Sequence, residues 1–302
     1  DWSELGNTRA TKTKYKAVDW SDVDYANLSD ETQDALNWAY IQYREASQAE
    51  SFNLNVIDWD EINKSAYKVI HWGDFNYEEI DAETKEKINW NNVSFKEAIK
   101  SNTFTVNAVD WAELGNTRAS REKYKAVDWS DVDYANLSDE TKEDINWYNV
   151  GFKEATKSES FNVNVVDWSE LGNTRATKTK YKAVDWSDVD YANLSDESKD
   201  ALNWSYIQYR EASQAESFNL NVIDWDEINA SAYKVIHWGD FNYEEIDAET
   251  KEKINWNNVS FKEAIKSDTF TVNAVDWAEL GNTRTTRTRY KLVDWSDVDY
   301  SN

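Results

Sequence analysis

The sequence predicts an α/β repeat solenoid in which parallel β-strands and short helices alternate in coils of 18–21 residues. The first observation behind this prediction is a long internal repeat. Residues 1–136 and 167–302 align without a gap at an offset of 166, with 11 differences in 136 positions. Repetition at this scale is typical of an array of stacked units. We therefore expect one continuous array over 1–302, with copies at 1–166 and 167–302, that forms a segment of a longer chain.

The second observation is the spacing of tryptophan. The 17 tryptophans follow one another at steps of 18, 18 and 21 residues, and one step in each long copy is shortened to 13. This period is close to the short end of leucine-rich-repeat coils. A large aromatic residue that recurs on every coil predicts an interior ladder of stacked rings, because a solenoid needs the same interior residue on each turn.

Around each tryptophan the chain repeats one pattern, which we call the tryptophan frame. Apolar or aromatic residues stand at −2, 0, +3 and +5, as in the segment Val18-Asp19-Trp20-Ser21-Asp22-Val23-Asp24-Tyr25. The pairs −2/0 and +3/+5 alternate as a strand does, and the step from 0 to +3 predicts a bulge or corner. The residue before tryptophan is Asp, Asn or His, including His71 and His237, and predicts side chains that cap turns.

Between the frames, local signals predict the remaining elements. Ser29 and Asp81 each precede acidic residues and predict short capped helices over 29–36 and 81–88. Residues 52–56 and 104–108 alternate apolar and polar residues and predict strands. The alternative is an all-α repeat array, because residues 36–46 and 95–100 also fit a helical wheel.

Composition excludes several classes of function. The formal net charge is −25, which repels nucleic-acid phosphates, so we expect no nucleic-acid partner. No stretch approaches the ~20 apolar residues of a membrane span, so we expect no membrane span, and residues 1–302 contain no signal-peptide pattern. The absence of Cys and Met removes disulfides and thiolate metal sites. The repeated Ser, Asp and His residues form no unique catalytic arrangement, so we expect no catalytic residues and no enzyme.

Paired carboxylates are the candidate metal ligands. Two aspartates recur two positions apart, and on a strand they would share one face. Carboxylate oxygens suit Ca²⁺, so Ca²⁺ is the cofactor that these pairs predict, although no calcium-loop motif is present. The candidate residues are Asp22, Asp24, Asp131, Asp133, Asp188, Asp190, Asp297 and Asp299.

Basic residues are segregated from acidic ones. Lysines and arginines concentrate in 9–16, 118–125, 175–182 and 284–291, and an acidic stretch follows each of these segments. Alternating bands of charge allow two molecules to dock in a staggered register, because opposite charges align and like charges repel. This pattern predicts self-association; the alternative is that the bands keep the protein soluble and pair between adjacent coils of one molecule.

Frames such as 127–134 and 254–261 resemble the tandem-repeat regions of very large secreted bacterial proteins of the cyanobacterial kind. The resemblance implies a secreted or cell-surface location and a structural or adhesive role. We therefore expect a non-enzymatic protein that forms the shaft of an extracellular fibre, sheath or surface adhesin. The alternative is a carbohydrate-binding repeat array that uses exposed tryptophan and Asp/Asn, with polysaccharide as the partner.

Overall fold

A computed structural model describes residues 2–296 and 298, and the chain divides into two compact units, Asp1–Ser160 and Phe161–Asn302. Every regular element in the described residues is an α-helix or a 3-10 helix, and none of these residues lies in a β-strand. The predicted α/β solenoid with parallel strands is therefore wrong, and the all-α alternative is correct. The single continuous array over 1–302 stays a prediction.

The first unit consists of short helices joined by tight turns. Its α-helices are α1 (Arg9–Tyr15), α2 (Asp30–Ala35), α3 (Tyr43–Ala46), α4 (Lys64–Tyr67), α5 (Ala82–Lys87), α6 (Phe95–Ala98), α7 (Trp111–Leu114), α8 (Arg118–Tyr124), α9 (Asp139–Asp144) and α10 (Phe152–Ala155). Its 3-10 helices are Ser3–Leu5, Trp20–Asp22, Tyr25–Asn27, Trp38–Tyr40, Leu54–Val56, Trp72–Asp74, Tyr77–Glu79, Val106–Ala108 and Tyr134–Asn136.

The second unit repeats this arrangement. Its α-helices are α11 (Arg175–Tyr181), α12 (Asp196–Ala201), α13 (Tyr209–Ala212), α14 (Ala230–Tyr233), α15 (Ala248–Lys253), α16 (Phe261–Ala264) and α17 (Arg284–Leu292). Its 3-10 helices are Val163–Val165, Ser169–Leu171, Tyr191–Asn193, Trp204–Tyr206, Leu220–Val222, Trp238–Asp240, Tyr243–Glu245 and Val272–Ala274.

Side-chain caps determine where the longer helices begin. The Ser29 side chain accepts a hydrogen bond from the N–H of Thr32 at the start of α2, and Asp81 accepts one from Thr84 at the start of α5. The helices predicted over 29–36 and 81–88 are therefore confirmed, each one residue shorter at both ends. Helices of only six residues are marginal in isolation, so packing against neighbouring turns must stabilise them.

The tryptophan frame folds as a tight turn and not as a strand. In the frame of Trp20, the 3-10 helix Trp20–Asp22 occupies the step from 0 to +3. A 3-10 helix has three residues per turn, so the apolar residues at 0 and +3 lie on one side of it. The step that suggested a bulge between strands is therefore one helical turn.

The two segments predicted as strands are also wrong. Residues 52–56 and 104–108 end in the 3-10 helices Leu54–Val56 and Val106–Ala108. In the first segment, the Asn53 side chain accepts a hydrogen bond from the N–H of Asn55, 2.9 Å away. Asparagine side chains that bond to the nearby backbone favour turns over sheet ladders. The alternation arises because Phe52 and Leu54 face the core while Asn55 faces outward.

Glycine permits close packing at one point in each unit. A Cβ atom on Gly73 would lie 2.9 Å from the carbonyl oxygen of Glu97 in α6, and one on Gly239 would lie 3.1 Å from that of Glu263 in α16. Helix α6 packs on the 3-10 helix Trp72–Asp74, which contains Gly73. The frames that follow the shortened 13-residue step therefore need a residue without a side chain here.

Candidate functional site

The repeated tryptophans form the core of both units. Fourteen of the 17 are no more than 4% exposed, and Trp2, Trp277 and Trp295 are partly exposed. In every described frame from Trp20 to Trp295, the indole Nε1 donates to the carbonyl oxygen five residues earlier, at 2.6–3.1 Å. The ring and its only donor are thus both used within the fold, and the predicted burial of the tryptophans is confirmed for these fourteen.

Tyrosines form a second hydrogen bond within the tryptophan frame. At position +5, the hydroxyl group donates to the carbonyl oxygen of the frame's tryptophan, as between Tyr43 and Trp38 at 2.8 Å. The same bond occurs at Tyr25, Tyr77, Tyr134, Tyr191, Tyr209 and Tyr243. Because these tyrosines are buried, the bond also satisfies a hydroxyl that would otherwise be costly to bury.

A second set of tyrosines links one turn to the next. The Tyr67 hydroxyl accepts a hydrogen bond from the N–H of Asn89, 22 residues later and 2.7 Å away. Tyr15, Tyr124, Tyr181 and Tyr233 accept the same bond from Asn37, Asn146, Asn203 and Asn255. In the described frames that follow these tyrosines, the tyrosine ring stacks on the tryptophan five residues later, at 5.5–5.8 Å between ring centroids.

Outward-facing asparagines clamp adjacent turns on the surface. The Asn107 amide donates to the carbonyl of Asn136 at 2.9 Å and accepts from the N–H of Ser138 at 3.1 Å. Asn55, Asn164 and Asn221 make the same paired contacts. Each clamp satisfies the backbone immediately before one of the acidic helices. The asparagines that alternate with apolar residues therefore hold turns together.

Where the residue before tryptophan is an aspartate, its side chain caps the turn of its own frame. Asp19 Oδ1 accepts hydrogen bonds from the N–H and the hydroxyl of Ser21, at 3.1 and 2.5 Å. The predicted capping role is confirmed here and in the other Asp frames that the structure describes, where a backbone N–H two or three residues later donates. Among the asparagines it holds for Asn146 and Asn255 but not for Asn37 and Asn203. The imidazoles of His71 and His237 instead lie 3.8 and 3.5 Å from Asp74 and Asp240.

The aspartate pairs lie on the surface, and their two members have different surroundings. Asp24, Asp133 and Asp190 each accept a hydrogen bond from an asparagine amide three residues later, at 2.7–2.8 Å. Asp22, Asp131 and Asp188 are exposed. Asp297 and Asp299 lie outside the described residues. Across residues 2–296 and 298, no three His, Asp or Glu side chains are grouped to hold a metal ion. Calcium binding stays a prediction.

Inward-facing cations are a feature that the sequence reasoning missed. A basic residue stands six positions before four of the tryptophans, and it is partly or fully buried at Lys123, Lys180 and Arg289 but exposed at Lys14. The Lys123 ammonium donates to the carbonyl of Val93 and lies 4.7 Å from the centre of the Phe95 ring. Burial lowers the pKa of Lys123 to about 8, and Glu113 opposes that change. Arg289 is only 7% exposed and lies 5.0 Å from the Phe261 ring. Only the recurrence of the basic residue before tyrosine could have indicated this role.

A second feature that the sequence reasoning missed is an open groove in the first unit, which we call the basic groove. It has a volume of about 550 Å³, and its charged lining residues are Lys12, Lys16 and Lys64. The Lys12 ammonium lies 4.7 Å from the centre of the Tyr40 ring. Val69, also in the lining, is 54% exposed. The groove therefore combines positive charge with apolar surface on a strongly acidic protein.

In the described part of the chain, no helix is long and apolar enough to cross a membrane. The chain matches no protein-family model, and it matches neither a curated protein nor a solved structure.

Proposed function

We propose that this chain is a non-enzymatic structural protein that self-associates and forms the shaft of an extracellular fibre, sheath or surface adhesin. One observation carries the proposal: the residues that the sequence repeats are the residues that hold the turns together. The tryptophans, the tyrosines and the clamping asparagines are all used in contacts within or between turns. Repetition therefore preserves a building unit, as in other repeat arrays.

The alternative role in carbohydrate binding needs aromatic rings that a sugar can reach. Fourteen tryptophans are nearly inaccessible, so their faces cannot stack on a ligand. The accessible aromatic side chains include Tyr148 and Tyr290, each 41% exposed. These side chains do not recur in every turn, in contrast to the tryptophans. This distribution favours the structural proposal over a sugar-binding ladder.

The separate placement of basic and acidic residues on the surface supports the proposed contact between molecules. The net charge is −25, yet the basic residues concentrate in helices α1, α8, α11 and α17. Opposite charges placed on one surface favour docking in a defined register. The Asp22, Asp131 and Asp188 carboxylates add acidic positions that a divalent cation can bridge between molecules. The secreted or cell-surface location is part of the same proposal and rests on the resemblance described above.

Electron microscopy combined with sedimentation velocity tests this function. We expect purified protein to form elongated assemblies whose sedimentation coefficient rises with protein concentration. Tryptophan fluorescence should be blue-shifted and resistant to iodide quenching. Monomeric protein at every concentration would contradict the proposal. Iodide-quenched emission that polysaccharide protects would favour the carbohydrate-binding alternative.

A further inference from the structure

We propose that the basic groove binds helix α2 of a second copy of this chain. The inference rests on the proposed self-association and identifies the two surfaces that make the contact. The groove is formed by Lys12, Lys16, Tyr40, Lys64 and Val69, and α2 carries the acidic residues Asp30, Glu31 and Asp34.

The groove has unused binding capacity. Lys12, Lys16 and Lys64 are exposed, and in the described part of the chain none of their ammonium groups lies within 4 Å of a carboxylate. The exposed Val69 side chain provides an apolar contact beside them. Three cations without a carboxylate partner suit an acidic partner. The protein's own surface supplies such a partner.

Helix α2 is the least compensated acidic helix of its kind. The described residues contain five six-residue α-helices at equivalent places in the repeat, namely α2, α5, α9, α12 and α15. Each of the other four carries at least one lysine, whereas α2 carries none. In α9 and α12 the lysine forms an ion pair with the first aspartate, at 3.1 and 3.6 Å.

The carboxylates of α2 are accordingly available to another molecule. Asp30, Glu31 and Asp34 are exposed, and no ion pair to them occurs within the described residues. Asp30 and Asp34 are four residues apart and share one helix face. Three acidic groups on one short helix match the three cations of the groove in number and opposite sign.

The long repeat contains a natural comparison. Four of the 11 differences between the copies change charge, and two of them fall on these surfaces. Lys64 in the groove corresponds to Ala230, and Gln33 in α2 corresponds to Lys199. The second copy therefore has one cation fewer in its groove and one cation more in its acidic helix. Both differences weaken the proposed pairing in the second copy, so we assign the contact to the first.

Groove and helix are different surfaces of one molecule, so a molecule whose groove is filled still has an α2 to offer to a third molecule. In this head-to-tail form the contact is heterologous and builds open assemblies, whereas a reciprocal exchange would close a dimer. Sedimentation that continues to rise beyond the dimer identifies the head-to-tail form. The proposed fibre needs this kind of growth.

Charge reversal with complementation tests the proposal on the full chain. The groove variant is Lys12→Glu/Lys16→Glu, and the helix variant is Glu31→Lys/Asp34→Lys. By sedimentation velocity at low salt, we expect each variant alone to self-associate at least about tenfold more weakly than the unmodified protein. An equimolar mixture of the two should recover association, because each provides the surface that the other needs. Failure of the mixture to recover would overturn the inference.

Matched variants separate this contact from general repulsion. Lys178→Glu/Lys182→Glu makes the same change of net charge in the second copy, and we expect less than about threefold weakening. An effect equal to that of the groove variant would contradict the assignment to the first copy. Lys64→Ala and Gln33→Lys copy residues that the second copy already carries, so they should fold normally. We expect each to weaken association about two- to fivefold, as for single exposed ion pairs.

Two further measurements separate the remaining explanations. If the groove variant loses binding to polygalacturonate but self-associates normally, the groove is a polysaccharide site and the inference is wrong. If the groove variant still forms fibres under the electron microscope, the structural function stands and only this contact is wrong. If the unmodified protein never associates, the proposed function itself fails.

Discussion

The Tyr67 hydroxyl oxygen lies 2.7 Å from the backbone nitrogen of Asn89 and accepts its hydrogen bond. This contact joins two turns that are 22 residues apart in sequence. The backbone carbonyl of Tyr67 accepts from the indole of Trp72 at 3.0 Å, and the two rings stack. One tyrosine thus fixes both its own tryptophan and the start of the next frame. Loss of the Tyr67 side chain should therefore destabilise both turns.

Tyr67→Phe should destabilise the protein by about 1–3 kcal/mol. The substitution keeps the ring but leaves the Asn89 N–H, which lies at a part-buried contact, without its hydroxyl acceptor, and the loss of such a partner costs about this much. Urea unfolding followed by tryptophan fluorescence measures the change. Tyr148→Phe is the control, because Tyr148 is 41% exposed and should change stability by less than about 0.5 kcal/mol. Equal effects of the two substitutions would show that the Tyr67 bond contributes nothing.

Trp90→Ala should cost about 3–5 kcal/mol, the usual range for emptying a core aromatic site. The Trp90 side chain is fully buried, and its indole donates to the carbonyl of Lys85 at 2.9 Å. Guanidinium unfolding monitored by circular dichroism checks the value. A loss under about 1 kcal/mol would place this ring at the surface. It would then support the carbohydrate-binding alternative.

Stability should fall steeply as the pH rises above 10. Burial raises the pKa of Tyr67 and Tyr233 from 10.0 to about 12, and it raises the pKa of Tyr43 and Tyr209 well above 10.0. Between pH 10 and 12 the unfolded chain loses phenol protons that the folded protein keeps, so unfolding becomes more favourable. The stabilisation is complete below pH 10 and is lost as the pH rises through this window. Calorimetric melting temperatures that stay constant from pH 9 to about 11.5 would contradict this account.

Two partly buried lysines, Lys123 and Lys180, should make the protein more stable as the pH rises towards 10. Burial lowers the pKa of Lys123 and Lys180 from 10.5 to about 8. From pH 8 towards 10 the folded protein loses these protons while the unfolded chain keeps them, so stability should rise over this range. The rise should disappear in Lys123→Arg/Lys180→Arg, because arginine stays charged. Arginine is acceptable at this place in the repeat, as Arg289 shows.

Lys14→Arg is the control for the lysine prediction. Lys14 occupies the same place in the repeat but is exposed, so its replacement should leave the pH dependence intact. If the rise persists in the double variant, the buried lysines do not cause it. The melting temperature between pH 7 and 10 is the measurement for all three proteins.

Millimolar Ca²⁺ should thicken or bundle the proposed fibres and raise the melting temperature, and a chelator should reverse both effects. Monovalent salt only screens charge, with a Debye length of about 8 Å at physiological strength, whereas Ca²⁺ can bridge carboxylates of two molecules. Asp22→Asn/Asp131→Asn/Asp188→Asn should abolish the response while leaving Asp24, Asp133 and Asp190, which accept hydrogen bonds from asparagine amides, in place. If NaCl at matched ionic strength has an equal effect, the carboxylates are only screened and the hypothesis of calcium bridging is wrong.

The sequence could predict the period, the buried tryptophans and the capped helices. Tryptophan recurs with the step of the turns, and Ser29 and Asp81 identify helix starts by their chemistry alone. The strand prediction failed because alternating apolar and polar residues indicate which side chains face the core but do not determine the backbone conformation. A 3-10 turn capped by Asn53 gives the same alternation as a strand. Single-sequence patterns do not separate the two for segments this short.

The inward cations and the basic groove could not be predicted, because both depend on neighbouring turns. Lys14 and Lys123 stand at the same place relative to tryptophan, yet Lys14 is exposed while Lys123 lies over the Phe95 ring of an earlier turn. The groove similarly joins Lys12 from one turn to Lys64 from a later one. Residues about 50 positions apart become neighbours only when the stacking of turns is known.

The short reach of the links between turns affects how such a chain changes length over evolution. The Tyr67–Asn89 link spans 22 residues and the Asn107–Ser138 link spans 31, both less than a 57-residue group of three tryptophans. Unequal recombination between the near-identical copies adds or removes 166 residues at once and keeps every such link in register. A single inserted residue instead displaces a tryptophan from its carbonyl acceptor. Descendants of this gene should therefore differ in copy number far more readily than in the length of any one turn.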